Sequence, residues 1–391
     1  MNKKYDIPWK SIFVETLLIT ILTIVLSYFC APILQFFSPQ RYFQQSPEDN
    51  EFTSSYFQHV YSTIHENDFE TSNITIVNIG YLTKRDDIAN ILYKIDSMAP
   101  LKIGVDILFR DYNHTKEDSF LRSVVNTIKK KSVFVCGIDN ANDQVVHSFF
   151  CDPRKTELYV DSVSEGLSEL LLDNDKKTIT NFRYKDVIGG DTLLTFAART
   201  AMDYYNVLYV DHDDHIINYK KLKFNIIDYD SLREDYIRGR IVLVGNINDG
   251  QDQHGSPIGV LSGLEVHAQI TNMIYEGEGI DKIGWFGEFI FSTIPLFFFI
   301  FFLVVSDYLG EHFRTKKSEI LSSLLQEIGC LPFFLSVVFV IISGTISYWI
   351  YTEYGKMVNM NSALIGVTIL ALFSKSVVHF LIIIYNNKKK K

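Results

Sequence analysis

Residues 239–263 carry the clearest structural pattern of this chain and read Gly-Arg-Ile-Val-Leu-Val-Gly-Asn-Ile-Asn-Asp-Gly-Gln-Asp-Gln-His-Gly-Ser-Pro-Ile-Gly-Val-Leu-Ser-Gly. Arg240–Val244 is a short, nearly continuous apolar run, which predicts a strand buried on both faces. The loop over 245–263 is rich in Gly, Asn and Asp, and Gly263–Tyr275 has the apolar spacing of a helix. The stretch therefore predicts one strand–loop–helix unit of an α/β domain.

The same alternation of strands and helices continues toward the N-terminus. The predicted strands are Ile74–Ile79, Lys102–Phe109, Val133–Ile138, Thr178–Tyr184 and Phe224–Asp228, and the predicted helices are Arg85–Met98, Glu117–Ile128, Thr192–Tyr205 and Ser231–Tyr236. Residues 139–177 are less regular and predict an insertion or an antiparallel flank. Apolar strands alternating with helices predict a mostly parallel sheet covered on both faces, which is a three-layer α/β fold.

Long apolar runs lie on both sides of this domain, one before it and three after it: Ile12–Phe29, Phe289–Val305, Leu331–Tyr351 and Ser362–Tyr385. Each is about long enough to cross roughly 30 Å of hydrocarbon, which excludes a wholly soluble enzyme. The predicted segments are a cytoplasmic N-terminus over 1–10, transmembrane helices over 11–36, 285–305, 331–351 and 362–385, an extracytoplasmic domain over 37–284, a cytoplasmic loop over 306–330, an external loop over 352–361 and a basic cytoplasmic tail over 386–391.

The charge distribution supports this topology. The chain has a net charge of −9, and residues 37–284 carry 25 Lys and Arg against 38 Asp and Glu, which leaves −13 in this domain and +4 elsewhere. Basic residues near the ends of apolar runs favour the cytoplasmic side, so both termini are predicted to be cytoplasmic. An acidic outer domain beside a basic rim argues against nucleic-acid binding and is compatible with contact between the basic tail and membrane lipid.

Polar side chains near two predicted strand ends are the candidate ligand-binding residues of the outer domain. They are Asp106, Asp252, His254, Ser256, Glu265 and His267. Ligands of parallel α/β sheets bind outside the carboxyl ends of the strands, where Asp106 and the 245–263 loop are expected. Glu265 and His267 are two positions apart and point about 200° from each other on a helix, so only one can face the cleft.

Each of these residues also has a purely structural interpretation. Asp106 can accept backbone hydrogen bonds, since a buried charge must be paired. Asp252 and Ser256 can order their loop, and His267 can hydrogen-bond where the helix meets the sheet. The combination of Asp106, Asp252, His254 and His267 also contains the residue types of a metal site, which gives a third hypothesis of a metal-dependent hydrolase. No cofactor is predicted.

Two further sets of residues are singled out by their environment. Cys136 and Cys151 fall in a compartment that permits disulfides, and they form either a disulfide or two buried free thiols. Lys375 and His379 lie four residues apart in the last apolar run, which predicts that they share a helix face, with Glu15 of the first run as the partner for membrane coupling. The alternative is that Lys375 extends toward the cytoplasmic headgroups.

Several motifs resemble the second type of CHASE domain, an extracytoplasmic sensory module found with bacterial histidine kinases, diguanylate cyclases and adenylate cyclases. They are Ile103-Gly104-Val105-Asp106-Ile107-Leu108-Phe109, Gly239-Arg240-Ile241-Val242-Leu243-Val244-Gly245, Asp252-x-His254-x-Ser256-Pro257 and Gly263-Leu264-Glu265-Val266-His267-Ala268. The layout of one span before and three after is also similar to the family. Two departures are Thr83-Lys84-Arg85, where the family has a Trp-Pro-rich segment, and Ser256, where Thr is commoner.

The resemblance implies a bacterial inner-membrane protein that senses a small molecule or protein outside the cell. Family members usually continue into a catalytic output domain, whereas this sequence ends six residues after Tyr385. We therefore expect a non-enzymatic sensor that acts through a separate cytoplasmic or membrane partner, with a second copy of the chain as a further candidate. The alternative is a structural or scaffold subunit of an envelope complex.

Overall fold

The computed structural model describes residues 8–36, 70–139, 142, 144–155, 157–170, 179–202, 213–220, 222–282, 285–315, 330–357, 373–374 and 377–378. Contacts divide the chain into two units. Ser54–Ile280 is called the sheet unit below, and Met1–Thr53 together with Asp281–Lys391 is called the helical unit.

The elements of the structure, in chain order, have the following bounds. The strands are β1 Glu70–Asn78, β2 Lys102–Val105, β3 Ser132–Asp139, β4 Gln144–Val146, β5 Ser164–Leu167, β6 Asn181–Phe182, β7 Lys185–Ile188, β8 Asp191–Leu194, β9 His215–Ile216, β10 Leu222–Asp228, β11 Ile241–Gly245, β12 Gln253–Ser256, β13 Gly259–Ser262, β14 Asp281–Lys282 and β15 Lys356–Met357. The helices are α1 Trp9–Phe36, α2 Arg85–Ser97, α3 Lys116–Ile128, α4 Phe196–Ala201, α5 Glu234–Ile237, α6 Gly263–Glu276, α7 Trp285–Thr315 and α8 Cys330–Tyr354.

The main sheet has the strand order β10-β1-β11-β2-β3-β4, and β5 also pairs with β3. Every pairing is parallel except that of β3 with β4. The predicted α/β class and mostly parallel sheet are therefore confirmed. The irregular region 139–177 contributes both an antiparallel flank, β4, and a parallel strand, β5.

Strand β11 shows how the sheet is covered on both faces. Val242 and Val244 join the core cluster that contains the apolar faces of α2 and α3. Ile241 and Leu243 join the cluster that contains residues of α4 and α6. Successive side chains of a strand point to opposite faces, so a run of four apolar residues is required where helices cover both.

The hairpin of β7 and β8, which has a two-residue turn, was not predicted from the sequence. Gly189 and Gly190 both have positive φ, +58° and +91°, and they join β7 to β8. Such turns match the twist of the flanking strands and favour glycine. The predicted helix over 192–205 was therefore wrong at its start: its first residues belong to β8, and α4 begins at Phe196.

A buried ion pair joins the two helices on one face of the sheet. Arg85, the first residue of α2, donates to Asp118 of α3, whose side chain is fully buried. Asp118 also caps α3 together with Thr115. Burial acts to raise the pKa of Asp118, but the hydrogen bond and charge of Arg85 outweigh it and hold the pKa below its ordinary value.

Replacing Asp118 with asparagine should lower the free energy of unfolding by about 2 kcal/mol at pH 7, because Arg85 loses its buried counter-charge. The sheet unit can be followed through Cys136 and Cys151, which react with a fluorogenic maleimide only once they are exposed. The measurement uses the full chain in detergent with Cys30→Ser and Cys330→Ser. Asp235→Asn is the matched control, because its pair with Arg233 is exposed and should contribute little. Equal melting shifts in the two variants would contradict the prediction.

The helical unit contains three helices that are long and apolar enough to cross a membrane, with candidate spans Trp9–Leu26, Phe289–Glu311 and Val337–Tyr354. The predicted fourth span over 362–385 falls mostly outside the described residues. Helix α1 packs against α7 through a cluster that includes Ile12, Ile19, Ile300 and Val304. Strand β14 precedes α7 and pairs in parallel with β15, which follows α8.

Candidate functional site

Asp106 lies at the carboxyl edge of the sheet, directly after β2. Its backbone N–H donates to the Val244 carbonyl at 2.8 Å, which continues the pairing of β2 with β11 by one residue. A Cβ atom on Gly245 would lie 3.2 Å from Cβ of Asp106, so a larger residue at 245 would press against Asp106. The predicted strand 102–109 was thus too long: β2 ends at Val105, and Asp106 begins the loop.

Asp252 is positioned by the loop that leads into α6. Its carbonyl accepts from the N–H of Gly263, the first residue of the helix, at 3.0 Å. A Cβ atom on Gly263 would meet the Asp252 carboxylate oxygens at 2.5 and 2.6 Å. The carboxylate therefore lies over the N-terminus of α6, where the helix dipole stabilises negative charge.

His254 completes a small cluster of titratable groups with Asp106 and Asp252. Its Nε2 lies 3.0 Å from Oδ1 of Asp252, and its side chain is 14% exposed, whereas that of Asp252 is 43% exposed. Burial, followed by the negative charge of Asp252, raises the pKa of Asp106 to about 7. The three residues form one polar cluster at the carboxyl edge, and it opens to solvent through Asp252.

Glu265 and Ser256 have structural partners outside this cluster. Glu265 accepts hydrogen bonds from the N–H and hydroxyl of Ser262, both at 2.8 Å, and Ser262 in turn accepts from the Glu265 N–H. This capping box has the Ser-x-x-Glu signature and could have been found in the sequence. Ser256 donates to the Gly259 carbonyl at 2.7 Å and closes the turn between β12 and β13.

His267 is buried on α6, with 3% of its surface exposed. The ring of Phe196 contacts it edge to face, with the ring centroids 5.2 Å apart. Burial lowers the pKa of His267 to about 4, against an opposing hydrogen bond to the backbone of Ser168. The imidazole is therefore neutral, and it faces a different environment from Glu265 two positions earlier.

Within the described residues, no three His, Cys, Asp or Glu side chains are placed to hold a metal ion together. Asp106, Asp252, His254 and His267 are therefore not brought together as the ligands of one metal ion in the described part of the chain.

Cys136 and Cys151 are free thiols in the structure, both buried, and do not form a disulfide. Burial and the negative charge of Glu165 raise the pKa of both thiols, that of Cys136 to about 12. Because the thiolate is the reactive species, neither cysteine is activated as a nucleophile.

Glu15 is a buried carboxyl group in the apolar surroundings of α1. Its Oε2 accepts from the hydroxyl of Tyr308 on α7 at 3.3 Å. Tyr308 was not among the residues predicted from the sequence, because the predicted span ended at Val305 while α7 continues to Thr315. Lys375 and His379 lie outside the described residues, so their predicted pairing with Glu15 stays a prediction.

Comparison with known proteins identifies the family of the sheet unit. A model of the CHASE2 domain matches residues 37–306, which is more than half of the chain. Neither the curated proteins nor the solved structures gave a match. The matched range includes all of the main sheet and extends into α7. The chain therefore belongs to the CHASE2 family of extracellular sensory domains.

Proposed function

We propose that this protein is a membrane-anchored sensor whose sheet unit binds a ligand outside the cell and whose helical unit passes the resulting change to a separate partner. The observation that carries the proposal is the family match over 37–306, beside helices long and apolar enough to cross a membrane. In this proposal the protein is non-enzymatic, has four spans with both termini cytoplasmic, and resides in a bacterial inner membrane.

The polar cluster at the carboxyl edge supports the sensing role. Asp106 and Asp252 are close enough for their charges to interact, and His254 bonds to Asp252. Ligands of parallel α/β sheets bind at this edge. A cationic or hydrogen-bonding ligand that displaces the proton from Asp106 would change the charge of the cluster, and with it the balance between two states of the domain.

Glu15 and Tyr308 support the relaying role. A carboxyl group in a membrane span costs free energy unless it is paired, and such groups tend to have a function. The contact of Glu15 with Tyr308 links α1, which precedes the sheet unit in the chain, with α7, which follows it. A shift between α1 and α7 would break or remake this contact.

Affinity purification from native membranes in mild detergent tests the proposal. We expect a protein partner to be recovered in constant ratio to the tagged chain, and Asp252→Asn to change that ratio by shifting the balance between two states. Asp230→Asn, at an exposed turn, is the control and should leave the ratio unchanged. A chain that emerges alone would contradict the proposal, and an unchanged ratio in the Asp252 variant would favour a structural subunit.

A further inference from the structure

The amino edge of the main sheet carries a cluster of basic side chains, called the basic edge below. It consists of the three segments that lead into β2, β3 and β11, which are residues 94–102, 129–131 and 238–240. These segments contain seven Lys or Arg residues and one carboxylate, although residues 37–284 together carry a net charge of −13. The basic edge is therefore a positive region on an acidic domain.

Hydrogen bonds and an ion pair hold the three segments side by side. The N–H of Leu101 donates to the carbonyl of Arg240 at 2.9 Å. Nζ of Lys131 lies 2.7 Å from Oδ1 of Asp96. The segments thus form one continuous surface, and the carboxylate on it is already paired.

Three lysines of the basic edge are available to an outside partner. Lys94, Lys129 and Lys130 make no ion pair with any residue that the structure describes. The pair of Arg238 with Glu234 is exposed, so it contributes little and is readily exchanged for another anion. These cations can therefore bind an anionic surface without breaking a buried interaction.

An exposed leucine lies among these charges. Leu101 is 48% exposed in the segment that joins α2 to β2. Helix dipoles favour lysines near the C-termini of α2 and α3, but they give no reason for an exposed leucine beside them. Basic side chains around an apolar one are typical of surfaces that lie on an anionic bilayer, where the apolar group enters the boundary between headgroups and acyl chains.

The chain passes from this edge of the sheet to a candidate membrane span. Asn73 of β1 donates to Glu276, the last residue of α6, at 3.3 Å, so α6 ends near the amino end of β1. Residues 277–288 then lead to Phe289, where the candidate span begins. A segment of this length extends over at most roughly 40 Å. A bilayer is therefore the anionic surface that the basic edge is best able to reach.

We propose that the basic edge binds the anionic headgroups of the membrane lipid, with its lysines at the phosphate groups and Leu101 at the boundary with the acyl chains. The polar cluster lies at the opposite edge of the same sheet, where it stays open to ligands. The inference goes beyond the proposed function, because lipid binding requires neither a ligand nor a protein partner. Failure of the proposed relay would leave it unaffected.

Amine labelling of the natural full chain in lipid nanodiscs tests the proposal. Discs of phosphatidylcholine alone are compared with discs that also contain phosphatidylglycerol, and each modified lysine is quantified by mass spectrometry. We expect Lys129 and Lys130 to react at least about threefold more slowly in the anionic discs, and salt near about 1 M to remove the difference. Lys116, exposed at the other end of α3, is the control and should react equally in both. Equal rates at Lys129 and Lys130 in the two discs would overturn the proposal.

An environment-sensitive fluorophore at position 101 tests the apolar contact. It is attached to Leu101→Cys in a chain with Cys30→Ser and Cys330→Ser, while the two buried cysteines of the sheet unit stay unreactive. We expect its emission to shift to shorter wavelength in the anionic discs, because the fluorophore leaves water.

Two further variants separate this contact from a general effect of the lipid. The double variant Lys129→Glu and Lys130→Glu should abolish the shift at position 101. The same fluorophore on Val260→Cys, a position that is 71% exposed on β13, should not respond to lipid charge. An emission at position 101 that is the same in both discs would overturn the proposal, and the amine labelling decides it in the natural chain if a variant does not fold.

Discussion

Replacing Asp106 with asparagine should stabilise the sheet unit at pH 8, by up to about 4 kcal/mol. The pKa of Asp106 is about 7 in the folded protein, compared with 3.8 for an unperturbed aspartate. At pH 8 the folded protein therefore carries a carboxylate in an unfavourable environment beside Asp252. Asparagine has the same shape without the charge, and the full gain is an upper value because Asp106 keeps some contact with solvent.

The raised pKa of Asp106 makes the stability of the sheet unit depend on pH. An acid whose pKa is raised by folding binds more protons in the folded state, so the free energy of unfolding falls as the pH rises from about 4 to about 7. The free energy of unfolding of the natural protein should fall across that range. In Asp106→Asn, the contribution of residue 106 to this decrease should be absent. The two proteins should therefore differ much more at pH 8 than at pH 4.

The measurement is the thermal midpoint of the full chain in detergent, followed by circular dichroism at several pH values. Asp230→Asn is the control for loss of one negative charge at an exposed position. A constant difference between Asp106→Asn and the natural protein at all pH values would show that Asp106 does not titrate between them.

Replacing Gly166 with alanine should destabilise the sheet unit by about 3 kcal/mol. A Cβ atom at this position in β5 would lie 2.6 Å from Cα of Phe196 and 2.9 Å from its backbone nitrogen. These are backbone atoms at the start of α4, and a bridge between Leu167 and Thr195 holds the same junction. The clash cannot be relieved by a side-chain rotation, so the strand and helix must separate.

Gly250→Ala is the matched control, because a Cβ atom there meets nothing within 4 Å. Thiol labelling of Cys136 and Cys151 at pH 7, with Cys30 and Cys330 replaced by serine, reports the melting of the sheet unit. We expect a clear decrease of the midpoint for Gly166→Ala and almost none for Gly250→Ala. A similar midpoint for both variants would show that the junction of β5 with α4 can yield.

The main sheet could be predicted from the sequence because its signal is local. A strand such as β11 is apolar at every position, and α2 and α3 have one apolar face each, so type and approximate bounds follow from periodicity. Where apolar residues are buried without regular structure, the same signal misleads. Phe109 is buried and its carbonyl accepts from the N–H of Phe149, yet it lies beyond the end of β2.

The candidate site was predictable only in part. Asp106, Asp252 and His254 converge as the carboxyl-edge rule for parallel sheets suggests. The surroundings of His267 could not be predicted in this way, because the ring contacts Phe196 of α4 and bonds to the backbone of Ser168 after β5, and both residues are distant in sequence from α6. Whether a histidine nitrogen is paired depends on such long-range packing.

Strands β14 and β15 couple two helices of the helical unit through backbone pairing. Asp281 pairs with Lys356 and Lys282 with Met357, so a short backbone ladder fastens the chain just before α7 to the chain just after α8. A force applied to the backbone at Asp281 would therefore act on both α7 and α8. Movement of α7 alone would first have to break this ladder.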